Sequence, residues 1–149
     1  MNFIYNVTIR DSKKQEIKFT PNDNNDDPIT GVEFVYNSDD KSLDHDKNAR
    51  VEVTIKGKFN SNTDTLKAIT ALANWAIQRT DVYREVEITA STTEGDGTEA
   101  ENFVRSYKFD RMFCIDYKEK INDQGIFVFE LFMAQQAGYK KCEIAHEVK

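Results

Sequence analysis

Val51-Glu52-Val53-Thr54-Ile55-Lys56 is the stretch on which the fold turns. Val51, Val53 and Ile55 alternate with Glu52, Thr54 and Lys56, and a period of two sets the apolar side chains on one face of a strand and the polar ones on the other. Asn60-Ser61-Asn62-Thr63-Asp64 follows, with several side-chain oxygens able to accept from the unpartnered N–H groups of a helix's first turn. The period then lengthens: Leu66, Ile69, Ala73, Ala76 and Ile77 fall at spacings of three and four, which predicts a helix over 65–79 with one apolar stripe, widened by Leu72 and Trp75. Trp75 reads as a core or interface anchor, because so large a ring gains most by being covered. The stripe is expected to dock on a sheet, so that Ile69→Asp, by burying an unpaired carboxylate, unfolds the domain.

Upstream, Phe3, Tyr5, Val7 and Ile9 alternate with polar neighbours as a half-buried strand does, and Glu16-Ile17-Lys18-Phe19 returns after the turn Asp11-Ser12-Lys13-Lys14. Asn22-Asp23-Asn24-Asn25-Asp26-Asp27-Pro28 is a polar loop, and Val32, Phe34 and Tyr36 mark a third strand. A second polar run extends from Asn37 to Asn48 with Leu43 as its sole large apolar residue; it cannot offset its own ordering entropy and is expected to order only in an assembly. Downstream come strands at Tyr83 to Ala90, Phe103 to Phe109, Met112 to Tyr117 and Ile126 to Met133, the last after a hairpin turn at Asn122-Asp123-Gln124-Gly125. Ile126 to Met133 is apolar at nearly every position, so both its faces call for burial and a partner subunit is a natural second cover.

A chain of 149 residues fits one domain, residues 1–149. Its net charge of −6 argues against a duplex nucleic acid partner, which asks for a basic footprint, and favours protein partners. The first residues lack the basic and apolar regions of a signal peptide, and no stretch is long enough to span a membrane. Cys114 and Cys142 are too few for a disulfide scaffold and lack metal-ligand spacing, which predicts two reduced thiols in a cytoplasmic product.

The patterns that carry chemistry fail one by one. In the acidic run from Asp23, a calcium loop would need Gly where Pro28 stands and Glu where Phe34 stands. Asp44-His45-Asp46, with Asp39 and Asp40 nearby, reads as a solvated loop rather than a metal site. His146 lies with Glu143 and Glu147 near the C-terminus, where fraying is expected. No G-x-S-x-G, H-E-x-x-H or G-x-G-x-x-G occurs, and Cys114 among Met112, Phe113 and Ile115 reads as a buried thiol rather than a partner for His45. The expectation is a protein that is not an enzyme and needs no cofactor and no metal.

The element order resembles the tail-tube and Hcp family of phage tails, type VI secretion and related contractile injection systems. Four stretches carry the resemblance: Gly31 to Asn48; Arg50 to Lys58 leading into the helix; Arg84-Glu85-Val86-Glu87-Ile88; and Tyr107 to Tyr117 followed by the hairpin into Phe127-Val128-Phe129-Glu130-Leu131. The resemblance implies a mainly β fold, an antiparallel β-barrel or β-sandwich with one packed helix, closing into hexameric rings that stack head to tail as a structural tube. It implies a homo-oligomer whose further partners are sheath, baseplate or cargo proteins, made in the cytoplasm and ending in a virion or an exported particle. Subunit contacts are then expected at the loop residues Asp39, Asp40, Lys41, Leu43, Asp44, His45, Asp46 and Lys47, and at Phe127, Phe129 and Leu131 of the apolar strand. A different class of reading keeps the same barrel as a monomeric adaptor or cargo-binding module with covered edges.

Overall fold

The chain folds, in order, as β1 (Phe3–Arg10), β2 (Glu16–Phe19), β3 (Ile29–Asn37), β4 (Arg50–Lys58), α1 (Thr63–Ile77), β5 (Arg84–Thr92), β6 (Phe103–Ile121), β7 (Phe127–Gln135) and β8 (Cys142–Val148). This computed structural model describes residues 3–21, 26–37, 50–92, 103–136 and 142–148. The expected contact loop from Asp39 to Lys47 lies outside the described residues.

All eight strands belong to one antiparallel sheet in the order β2-β1-β5-β6-β7-β4-β3, with β8 also paired to β6. The architecture is mainly β, as expected, with one helix among the described residues, but the sheet does not close: β2 and β3 end the path unpaired with each other. It folds over itself instead. Phe19 of β2 meets Phe129 of β7 at 5.4 Å between ring centroids, and Phe34 of β3 stacks on Tyr107 of β6 at 3.9 Å, although neither pair of strands is adjacent in the sheet. One wall contributes Val7, Ile9, Phe19, Val86, Ile88 and Phe109, the other Val53, Ile55, Phe129, Leu131 and Met133, all buried. The alternation that located the strands therefore also locates the core.

β6 is the spine of this arrangement. The sequence predicts two strands, 103–109 and 112–117, where the structure has one of 19 residues. Its first half pairs with β5 on one side and β8 on the other, and its second half, Met112 to Ile121, pairs with β7. Between the halves Arg111 has φ 53°, and the register slips between Cys114 and Asp116, as a bulge does to bend a strand and re-aim its side chains. The bend's carbonyls stay satisfied: the Gln136 N–H donates to Arg111 O at 2.9 Å and Gln135 Nε2 to Asp110 O at 3.0 Å. β8 is a second departure, because the segment expected to fray is ordered by pairing Arg105 with His146 and Tyr107 with Ile144.

The helix occupies Thr63–Ile77, two residues earlier than its sequence reading at each end, and Asn62 caps it by accepting from the Asp64 N–H at 2.8 Å. It lies against β2 and β6. Its buried face is Thr65, Ala68, Ile69, Leu72 and Trp75, whereas Leu66 is 40% exposed and Ile77 78% exposed. The stripe is thus turned away from the expected Leu66-Ala73-Ile77 line toward the Leu72-Trp75 side. Trp75 fixes that rotation: its Nε1–H donates to Val82 O at 2.8 Å and the Arg84 guanidinium lies 5.3 Å from its ring centroid.

Candidate functional site

The strand expected to make subunit contacts, β7, splits its residues between the two faces. Phe129 and Leu131 are covered inside the chain's own core, and Phe127 is half-buried with its ring 6.1 Å from that of Phe59. These three therefore offer little surface to a neighbour. The opposite face of β7 carries Ile126, Val128, Glu130 and Phe132, and Ile126 is 45% and Val128 38% exposed. The run Ile126 to Met133 does carry apolar side chains on both faces, one of them covered by the fold and the other left open.

That open face lies between lysines. The ladders of β7 with β4 and β6 place Val128 between Lys58 and Lys120, and Glu130 between Lys56 and Lys118. Lys58 Nζ is 2.8 Å from Asp26 and Lys118 Nζ is 3.7 Å from Asp116; Lys56 and Lys120 form no ion pair among the described residues. The Lys58–Asp26 pair also answers the calcium question for the one acidic side chain it holds, because a carboxylate already neutralised by an ammonium is a poor ligand. The surface is concave, about 610 Å³, with Lys56, Lys118, Lys120, Val128 and Glu130 in its lining. The hairpin that ends it turns where the sequence predicts: Gly125 has φ +82°, and Asn122 Oδ1 accepts from the N–H groups of Gln124 and Ile126 at 3.0 and 3.1 Å.

The outer face at the other end of β6 has the opposite sign. Glu85, Asp110 and Glu143 share with Lys108 a second hollow of about 220 Å³, and Lys108 Nζ is 3.6 Å from Glu85. Glu143 and Glu147 on β8 are exposed. Arg10 holds the neighbouring carboxylates, at 3.0 Å from Glu16, 3.2 Å from Glu85 and 2.9 Å from Glu87, and its pKa is raised chiefly by the bond to Glu87. β8 itself is paired on one side to β6, and from Cys142 to Glu147 its side chains are exposed.

Nothing in these surfaces assembles a reacting centre. Among the described residues no group of three or more His, Cys, Asp or Glu could hold a metal ion. Burial, with some help from the Asp116 charge, pushes the Cys114 thiol up to about 11, the reverse of what a nucleophilic thiolate needs. Tyr117 is also raised, first by burial and then by its hydroxyl's bond to Glu119 at 2.7 Å. Cys114 and Cys142 are not joined in a disulfide. Among the described residues no helix is long and apolar enough to cross a membrane.

Comparison with known proteins gives one kind of likeness. No protein-family model and no curated protein matches this sequence. Among solved structures, the Hcp1 protein of the E. coli EAEC 042 pathovar, in a doubly substituted form, superposes with a TM-score of 0.54 over 97% of this chain and 97% of its own, at 10% sequence identity. At that identity the two share a fold, the mainly β arrangement described above.

Proposed function

We propose that this chain is a structural subunit that assembles with copies of itself into stacked, hexameric rings, the inner tube of a phage-tail-like or contractile injection apparatus. The observation that carries the reading is the likeness to Hcp1 across 97% of both chains; in this reading residues 1–149 act as one tube domain. The open sheet supports it. β2, β3 and β8 each have a side without a partner strand among the described residues, and an exposed strand edge is a liability unless something covers it. A ring built from heterologous contacts covers such surfaces in every copy at once. In this reading the segment from Asp39 to Lys47 and the outer face of β7 meet neighbouring subunits, and sheath, baseplate and cargo proteins are the further partners.

Sedimentation velocity and negative-stain electron microscopy of the purified protein over a concentration series test the reading. Rings or short tubes, with a mass that grows with concentration, are the expected result. A monomer that persists at the highest concentrations, without rings on the grid, overturns the tube and leaves the adaptor role.

A further inference from the structure

The two outer faces of the folded sheet carry opposite charge at opposite ends of β6. At one end four lysines, Lys56, Lys58, Lys118 and Lys120, stand in two adjacent rows around Val128 and Glu130, with Lys58 paired to Asp26 and Lys118 to Asp116. At the other end, Glu85, Asp110 and Glu143 share a hollow with Lys108; Arg10 and Lys108 both hold Glu85, which leaves Asp110 and the exposed Glu143 as the carboxylates without an ion pair to a described residue. Lys56 and Lys120 are exposed and have no ion-pair partner among the described residues.

The two faces do not meet within one copy. Glu143 is in register with Lys108, whereas Lys120 lies further along the same strand, about 40 Å away at a rise of about 3.3 Å per residue, less the bend at Arg111. Two copies set head to tail bring them together. We infer that the lysine face of β4, β7 and β6 in one copy docks on the acidic face of β6 and β8 in the next, a lysine side chain entering the hollow lined by Glu85, Asp110 and Glu143. The inference rests on the self-assembly reading and names the contact that performs it. Val128 and Ile126 supply the apolar centre that a stable contact needs, and the surrounding charges set its direction, because an end that carries lysines repels its own kind and accepts only the other end. Such a contact is heterologous: it closes into a ring or continues as a stack, and does not stop at a two-fold dimer.

Charge reversal tests the pairing. One variant carries Lys118→Glu and Lys120→Glu, a second Glu143→Lys and Glu147→Lys, and circular dichroism with thermal melting establishes that each keeps the parent fold. Sedimentation velocity is expected to show that each alone associates at least about tenfold more weakly than the parent, since like charges then face one another. An equimolar mixture of the two is expected to recover association, because the reversed hairpin of one meets the reversed β8 of the other and the two remaining native ends also match. The inference is overturned if either folded variant assembles as the parent does, or if the mixture stays as weak as its components, while the parent's own rings leave the self-assembly reading standing. A parent that never associates overturns both.

Discussion

Gly57 shows how a single residue depends on contacts that sequence pattern does not contain. A glycine inside a strand is by propensity a weak point, yet a Cβ at Gly57 would lie against the Phe129 ring and 2.5 Å from the Pro28 carbonyl oxygen. The ring could turn aside, but the carbonyl is backbone and also accepts the Lys58 N–H at 2.8 Å. Gly57→Ala is therefore expected to lower stability by about 1–3 kcal/mol, measured by urea unfolding, as overpacking does. Gly125 was legible in advance, because its turn is local to Asn122-Asp123-Gln124-Gly125, whereas the need at Gly57 comes from residues far along the chain. Cys114 supplies a pH prediction with a definite sign. Its thiol is raised from the ordinary 9.0 to about 11, so the folded state favours the neutral form; the stabilisation is present below about pH 9 and is lost as pH rises through 11. At pH 8 a thiol-alkylating reagent is expected to modify the exposed Cys142 well before Cys114, with the singly labelled species dominant by mass spectrometry; equal labelling would show that Cys114 is not shielded.

At the scale of elements, periodicity located seven of the strand segments and the helix but misjudged how they join and turn. The helix phase could not be settled from spacing, because Leu66, Ala73 and Ile77 form as good an apolar line as Ala68, Leu72 and Trp75. The Trp75 bond to Val82 and its contact with Arg84 decide between the two lines, and both are tertiary. Two substitutions measure the difference: Leu72→Ala, at a fully buried site, is expected to cost about 2–5 kcal/mol, while Ile77→Ser, at a residue 78% exposed, should stay within about 0.5 kcal/mol of the parent. Equal losses in thermal or urea melts would return the stripe to its sequence reading. β6 read as two strands because Asp110-Arg111 interrupts the alternation, and the structure shows why the strand survives it: the bulge shifts the faces, and Gln135 and Gln136 hold the carbonyls that the bend exposes. Cys142-Glu143-Ile144 does alternate, yet β8 was missed, because a strand with so much exposed surface has little apolar signal and owes its order to the ladder with β6. The sequence reading of β7 as apolar on both faces agrees with the structure, but Phe129 and Leu131, which it named for contacts, are spent on the core, and the open face is that of Val128.

For the whole molecule, the proposed self-assembly asks how copies that each carry a net charge of −6 would bind one another. Two electrostatic effects oppose each other. Repulsion between like-charged subunits acts over their full separation and is screened once the Debye length, about 10 Å at 0.1 M salt, falls below it. Attraction between the lysine face and the acidic face acts at contact distance, where the groups are partly out of water and the same salt screens them much less. Added salt should therefore remove the repulsion first and the attraction later. Association measured by light scattering is expected to strengthen from about 0.01 to 0.1 M sodium chloride and to weaken again toward about 1 M, where the Debye length is about 3 Å. Reversing two lysines takes the net charge from −6 to −10 and reversing two glutamates takes it to −2, but both variants set like charges face to face at the contact, so each should show only the rising limb, approaching whatever the apolar centre around Val128 can hold on its own. A parent curve that rises throughout would mean that the contact is apolar and that the lysine rows face something other than a second copy.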